Sequence, residues 1–258
     1  MPNDTIAIHP SGLKLTFTEE NHCYKDEYGR EYTSGTKLLH KGFEVFDAEK
    51  VAAMKSAKTG RPAQEYIQEW QAAGNLASDS GTWMHENCER QILGRFNEMH
   101  SPRNEEERIC FAAAWEEVCK MQANFCELQP EKIIFSPRFR ISGSIDLLAK
   151  VNDCKYIIFD WKRIKALKKE GFKGKCGIIY PTFDVPDCNF YHYALQLSIY
   201  EMILKVEGYI PPYAEVERWL LVYRQEGYFQ YEPLPDMVKS AALLAAWNMS
   251  EGFDEIPF

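Results

Sequence analysis

A chain of 258 residues with 45% hydrophobic content can bury a sizeable core, and its length suits one catalytic domain with additions. Met1 to Pro10 is too polar for a signal peptide and no apolar run approaches the roughly 20 residues needed to cross a bilayer, which excludes a helical membrane protein and points to the cytoplasm. The net charge of −8 excludes attraction to nucleic acid over the whole surface, so phosphate binding would have to come from local clusters of Lys and Arg.

The chain opens with alternating apolar and polar residues through Leu13 to Phe17, continues through His22 to Tyr24, and turns at Tyr28-Gly29-Arg30 before Glu31 to Thr33, which predicts a small β-hairpin. Ser34 and Thr36 offer capping hydroxyls for a short helix near Lys37 to His40, and a mostly helical stretch follows from Asp47 to Trp70. Asp79 or Ser80 can cap a separate helix over Thr82 to Leu93 that stops at Gly94. Asn104 and three glutamates start a longer helix, whose core face is expected at Phe111, Trp115, Val118, Gln122 and Phe125.

Three strands are predicted next: Lys132 to Ser136, Arg138 to Val151 with a break at Gly143, and Tyr156 to Ile164, the last two joined by a turn at Asn152-Asp153. A loop rich in Gly and Pro leads to a helix from Tyr191 to Glu207, then to strands Arg218 to Tyr223 and Tyr228 to Glu232 about the Glu226-Gly227 turn, and a last helix near Asp236 to Asn248. The fold class expected is α/β, with a central mixed sheet flanked by helices. The domains expected are an N-terminal hairpin and helical lobe over 1–78, a core over 79–250 and an acidic tail over 251–258. The eight cysteines include no CxxC pair and are expected to be reduced thiols.

Alternation along a strand puts Asp160 and Lys162 on one face and Trp161 on the other. A hairpin brings Asp146, within Gly143-Ser-Ile-Asp146, beside Asp160. Two carboxylates at one sheet edge repel unless a cation lies between them, and hard oxygen ligands favour Mg²⁺ or Mn²⁺. Phosphodiester hydrolysis uses such a metal together with a nearby ammonium, and Asp146, Asp160 and Lys162 supply these parts. An Asp-x-Lys pair is also a common exposed salt bridge, but the apolar run Tyr156 to Phe159 before it reads as a buried strand, where unpaired charges are costly. From Lys162 to Lys175 the chain carries seven basic residues against Glu170 alone, either a solvated surface or, as its start at Lys162 suggests, a phosphate-binding edge.

Gly143-x-x-Asp146, Asp160-x-Lys162 and Gln196-x-x-x-Tyr200, preceded by Gly81-Thr82-x-x-His85-x-x-x-Glu89, together resemble the PD-(D/E)xK nuclease superfamily and its RecB-type exonuclease branch, over roughly residues 80–205. The resemblance implies a restriction-endonuclease-like core in which Asp146 and Asp160 bind the metal, the backbone carbonyl of Trp161 completes its coordination, and Lys162 positions or activates water. It further implies that His85 is a ligand from the upstream helix and that Gln196 and Tyr200 brace the site or contact the DNA backbone. Glu89 either accepts a hydrogen bond at the site or is a solvated acid.

Arg163 stands where RecB-type enzymes commonly have Thr or Ser, but a guanidinium can grip phosphate. With Lys165, Lys168, Lys169, Lys173 and Lys175 it makes up the expected DNA-binding set. Tyr191, Tyr193 and Trp161 offer stacking surfaces for bases, or are core residues. Many relatives carry an iron–sulfur cluster on one upstream cysteine and a C-terminal trio. Only Cys176 and Cys188 lie beyond Lys162, so no cluster is expected. The activity implied is a metal-dependent DNA exonuclease of recombination, repair or replication; a flap endonuclease on the same core and a noncatalytic DNA-binding module are the alternatives.

The last five residues, Asp254, Glu255, Ile256, Pro257 and Phe258, resemble the acidic tip of bacterial single-stranded DNA-binding proteins. They imply docking on proteins that recognise that tip. The alternatives are a frayed tail or one packed on the enzyme's own surface.

Overall fold

The computed structural model describes residues 4–251. Four short strands come first, β1 (Thr5–Ile8), β2 (Lys14–Thr18), β3 (Cys23–Asp26) and β4 (Glu31–Ser34), forming an antiparallel meander rather than a single hairpin. Ser34 then caps α1 (Gly35–Lys41), its hydroxyl accepting from the Lys37 amide at 3.1 Å.

Asp47 caps α2 (Ala48–Thr59), which ends at Gly60 with a left-handed φ of 75°, so the helical stretch expected from Asp47 to Trp70 is broken there. α3 (Ala63–Ile92) is one helix of 30 residues. It runs through the expected start at Asp79 or Ser80, and the 78/79 boundary falls inside it. The Asp79 carboxylate pairs with Arg103 at 2.6 Å instead of capping. Nothing at 79 or 80 therefore competes with the helical backbone. Gly94, with φ of 70°, follows its end as expected.

α4 (Glu105–Asn124) is capped by Asn104, which accepts from the Glu107 amide at 2.9 Å. Its buried face is Cys110, Ala114, Glu117, Val118 and Met121 rather than the expected set, of which only Val118 is fully buried. Small Cys110 and Ala114 let the helix approach the sheet, while Phe111 and Trp115 stack on each other along its flank.

Strands β5 (Glu127–Ser136), β6 (Ile141–Asn152), β7 (Lys155–Lys162), β8 (Glu215–Arg224) and β9 (Tyr228–Pro233) continue the meander into one mixed sheet, with α5 (Asn189–Val206) and α6 (Val238–Glu251) packed on it. β4 pairs with β6, and β7 with β8, in parallel; the remaining pairs are antiparallel. β6 is unbroken at Gly143, which pairs with Ile134.

The apolar run of β7 serves both faces. Tyr156 and Ile158 join a core with α1, α5 and α6, and Ile157, Phe159 and Trp161 join one with α3 and α4. On β6 the alternation slips: Ile145 belongs to the first core, yet Leu147, two residues on, belongs to the second. The slip falls on Asp146. Opposite it on β5 lies Glu131, whose backbone has φ of 44°; ladder pairing is present at Pro130↔Leu147 and at Lys132↔Ile145, on either side. Two acidic residues thus share one local distortion of the sheet.

Candidate active site

β6 and β7 pair from Leu147↔Phe159 towards their shared turn, and beyond that point they part. Asp146 fills the opening: its Oδ2 accepts the Trp161 amide proton at 3.0 Å, so a side chain takes the acceptor's place in the interrupted ladder. α3 crosses here and delivers His85. The His85 Nε2–H donates to the Trp161 carbonyl at 2.8 Å, which fixes the neutral tautomer and turns the Nδ1 lone pair to Asp146 Oδ2 at 3.4 Å and Glu131 Oε1 at 4.0 Å. Burial, and after it the nearby Lys162 charge, holds the imidazole down to about 4, so it is uncharged at neutral pH.

His85, Glu131 and Asp146 bring one ligand atom each to within 4.8 Å of one another, a spacing suited to a single cation. Burial and then the Asp146 charge push Glu131 up to about 8, while Ser144 donates to its Oε2 at 2.9 Å. Asp160 is 4% exposed; burial pushes its carboxyl up to about 7, with Asp146 adding to the rise and Lys162 opposing it. Its Oδ1 accepts from Lys162 Nζ at 2.7 Å, and its buried Oδ2 has no hydrogen-bond partner. Burial would pull the Lys162 ammonium's pKa down, but Asp160 and Asp146 outweigh it and keep the lysine charged. This gathering of three carboxylates, of which Asp160 is buried with one oxygen orphaned, is what a divalent cation would relieve.

Among the expected site residues, the structure brings together His85, Asp146, Asp160, Lys162 and the Trp161 backbone. The Trp161 carbonyl is engaged by His85, and its indole packs in the core, 2% exposed. Gln196 donates to the Tyr200 hydroxyl at 2.9 Å, and the Tyr200 ring lies against Gly143 and Gly35, where any added side chain would collide with it. This pair therefore seats β6 just before Asp146. Tyr193 lies beneath the Lys162 ammonium, 5.1 Å from its ring centre, while Tyr191 packs at the edge of the α5 core. Glu89 is half-buried at the rim of the cleft, its carboxyl pushed up by burial.

Arg163 turns onto Glu106 at 2.6 Å and over the Tyr223 ring. The basic run is a loop, in which Lys169 pairs with Glu232 and Lys175 with Glu44, while Lys168 is anchored through its amide to Asn189 at 2.8 Å. Lys173 lies over Phe172, and Lys165 lines a neighbouring cavity. Asp254, Glu255, Ile256, Pro257 and Phe258 lie outside the described residues. None of the described helices is long and apolar enough to cross a membrane.

Glu131 was missed in the sequence. A signal for it exists: a hairpin closing between Ser136 and Ile141 counts back to place Glu131 opposite Asp146.

No protein-family model matches the chain, and no curated protein matches it. Among solved structures, the chain is similar to a "putative exonuclease" from Eubacterium rectale, at 11% identity, over 69% of each chain and with a TM-score of 0.41.

Proposed function

We propose that this chain is a metal-dependent deoxyribonuclease that hydrolyses phosphodiester bonds at DNA ends. The observation that carries the reading is the convergence of His85, Glu131 and Asp146 beside the Asp160–Lys162 pair, where two sheet strands part. His85, Glu131 and Asp146, with the free Oδ2 of Asp160, would hold Mg²⁺ or Mn²⁺, hard cations that take carboxylate oxygens and accept imidazole nitrogen. Bound there, such an ion polarises a phosphoryl oxygen and lowers the pKa of water.

The chain's own groups do the remaining work. The Trp161 amide orients the Asp146 carboxylate and the Trp161 carbonyl orients His85, so the backbone of one residue would set two ligands. Asp160 holds the Lys162 ammonium at the end of β7, where it meets the phosphate and steadies charge that develops in the transition state. Gln196 and Tyr200 keep β6 seated, and the uncommitted lysines of the loop supply attraction for the DNA backbone.

End-labelled linear DNA incubated with Mg²⁺ or Mn²⁺ should release short products. EDTA should stop the reaction, Asp160→Ala should abolish it, and a covalently closed circle should survive. Equal activity in Asp160→Ala would remove the assigned site. Cleavage of the circle would make the enzyme an endonuclease.

A further inference from the structure

The Lys162 ammonium has supports of two kinds. Its Nζ donates to Asp160 Oδ1 at 2.7 Å and lies 4.0 Å from Asp146 Oδ2, and these are its only ion pairs among the described residues. It also lies over the ring of Tyr193, 5.1 Å from the ring centre and within the reach of a cation–π contact. Tyr193 comes from α5, three residues before Gln196 and seven before Tyr200, so the three share one face of that helix. That face meets the end of β7 through Tyr193 and the start of β6 through Tyr200.

The two kinds of support differ in what else they can hold. Asp160 and Asp146 are both assigned to the cation. A carboxylate that turns its charge to a divalent ion has less to offer the ammonium beside it, and two cations in one cleft repel each other. An aromatic face is no ligand for Mg²⁺ or Mn²⁺, which take oxygen and nitrogen donors, so its attraction for the ammonium survives when the carboxylates are engaged. Tyr193 is half-buried against the α5 core, which holds the ring in place, and its hydroxyl makes no hydrogen bond with the described residues. The ring is therefore the contact, and the face under Lys162 is not available to a base.

We propose that Tyr193 is the positioning residue for Lys162: its ring keeps the ammonium at the end of β7, aimed at the phosphate, when Asp160 and Asp146 are committed to the cation. The proposal rests on the nuclease reading of this site and assigns to Tyr193 no contact with DNA or metal.

Steady-state hydrolysis of linear DNA with Mg²⁺ gives the first measurement. Tyr193→Leu removes the ring and should lower kcat about 10- to 30-fold while KM moves by less than about threefold; Tyr193→Phe, which keeps the ring, should stay within about threefold of wild type in both. Phenylalanine with three ring fluorines at position 193 keeps the shape but drains the π face, so it should lower kcat by about tenfold with the fold intact. A packing role alone would leave the fluorinated ring as active as Tyr193→Phe, and that result, or an unchanged kcat in Tyr193→Leu, overturns the assignment. The second measurement needs no turnover. In NMR spectra the ε-methylene of Lys162, identified by its loss in Lys162→Arg, should show the upfield displacement that a ring face imposes, and Mg²⁺ at the concentration that saturates hydrolysis should leave it in place. An ordinary lysine position, with or without Mg²⁺, overturns the proposal. If either measurement goes against Tyr193 while the wild type cleaves DNA with Mg²⁺, the positioning role fails and the nuclease reading stands. If the wild type cleaves neither DNA nor the simple diester bis(4-nitrophenyl) phosphate, the nuclease reading fails, and this proposal with it.

Discussion

Glu131 and Asp146 face each other across β5 and β6 at the one point where neither strand keeps its alternation, and the left-handed backbone at Glu131 is a strain that a non-glycine residue seldom bears without cause. The cost is intelligible if both carboxylates must reach His85. Glu131→Gln keeps the shape and an acceptor for the Ser144 hydroxyl but cannot ionise when a cation binds, so Mn²⁺ affinity measured by titration calorimetry should fall about 10- to 100-fold. Unchanged affinity would leave Glu131 a bystander. Asp160 and Lys162 were readable because period-two alternation after an apolar run fixes their common face. Glu131 was not, because its relation to Asp146 depends on the register across a hairpin and on a backbone kink that no local pattern announces. The use of the Trp161 backbone, its N–H for Asp146 and its carbonyl for His85, is invisible for the same reason: it exists only where β6 and β7 have parted.

At the scale of elements, the loop between β7 and α5 would, on the proposed function, set how strongly DNA is held. Its lysines are unequal. Lys169 and Lys175 are neutralised by Glu232 and Glu44, whereas Lys168 and Lys173 have no carboxylate partner among the described residues. Phosphate contacts release counterions, so Lys168→Gln with Lys173→Gln should reduce the slope of log Kd against log salt by about 1.4 to 1.8, at roughly 0.7 to 0.9 per contact. Lys169→Gln with Lys175→Gln should change it less. Anisotropy of a labelled oligonucleotide, with Ca²⁺ in place of the catalytic ion, reads both; equal slopes in the two double variants would refute the division. The sequence shows the charge run but not its internal pairing, because Glu44 and Glu232 are far along the chain. α3 was misread as two helices for a related reason: Asp79 has the chemistry of a cap, and only the distant Arg103 shows that it is engaged elsewhere.

Across the whole molecule, the order of helix, three strands, helix and strand was legible from periodicity and turn residues, and with it the mixed sheet. The joining of β4 to β6 was not, since parallel pairing over two residues leaves no sequence mark, and the meander therefore read as a separate lobe. Folding that sheet gathers Glu131, Asp146 and Asp160 at one place, with Asp160 buried and the other two partly exposed. Their mutual repulsion opposes the folded state. A cation that binds the assembled cluster and not the unfolded chain stabilises by RT ln(1 + [L]/Kd), about 2.7 kcal/mol at one hundred times Kd. For a domain near this size each kcal/mol moves Tm by roughly 2–4 °C, so saturating Mn²⁺ should raise Tm by about 5–10 °C. Asp146→Ala removes a proposed ligand that lies beside His85 and accepts the Trp161 amide proton, and the rise should vanish with it. Differential scanning calorimetry of both chains, with Mn²⁺ and with EDTA, provides the comparison. An equal rise in Asp146→Ala would place the cation elsewhere on the protein, and no rise in the wild type would mean that the gathered carboxylates are relieved by protons rather than by a metal.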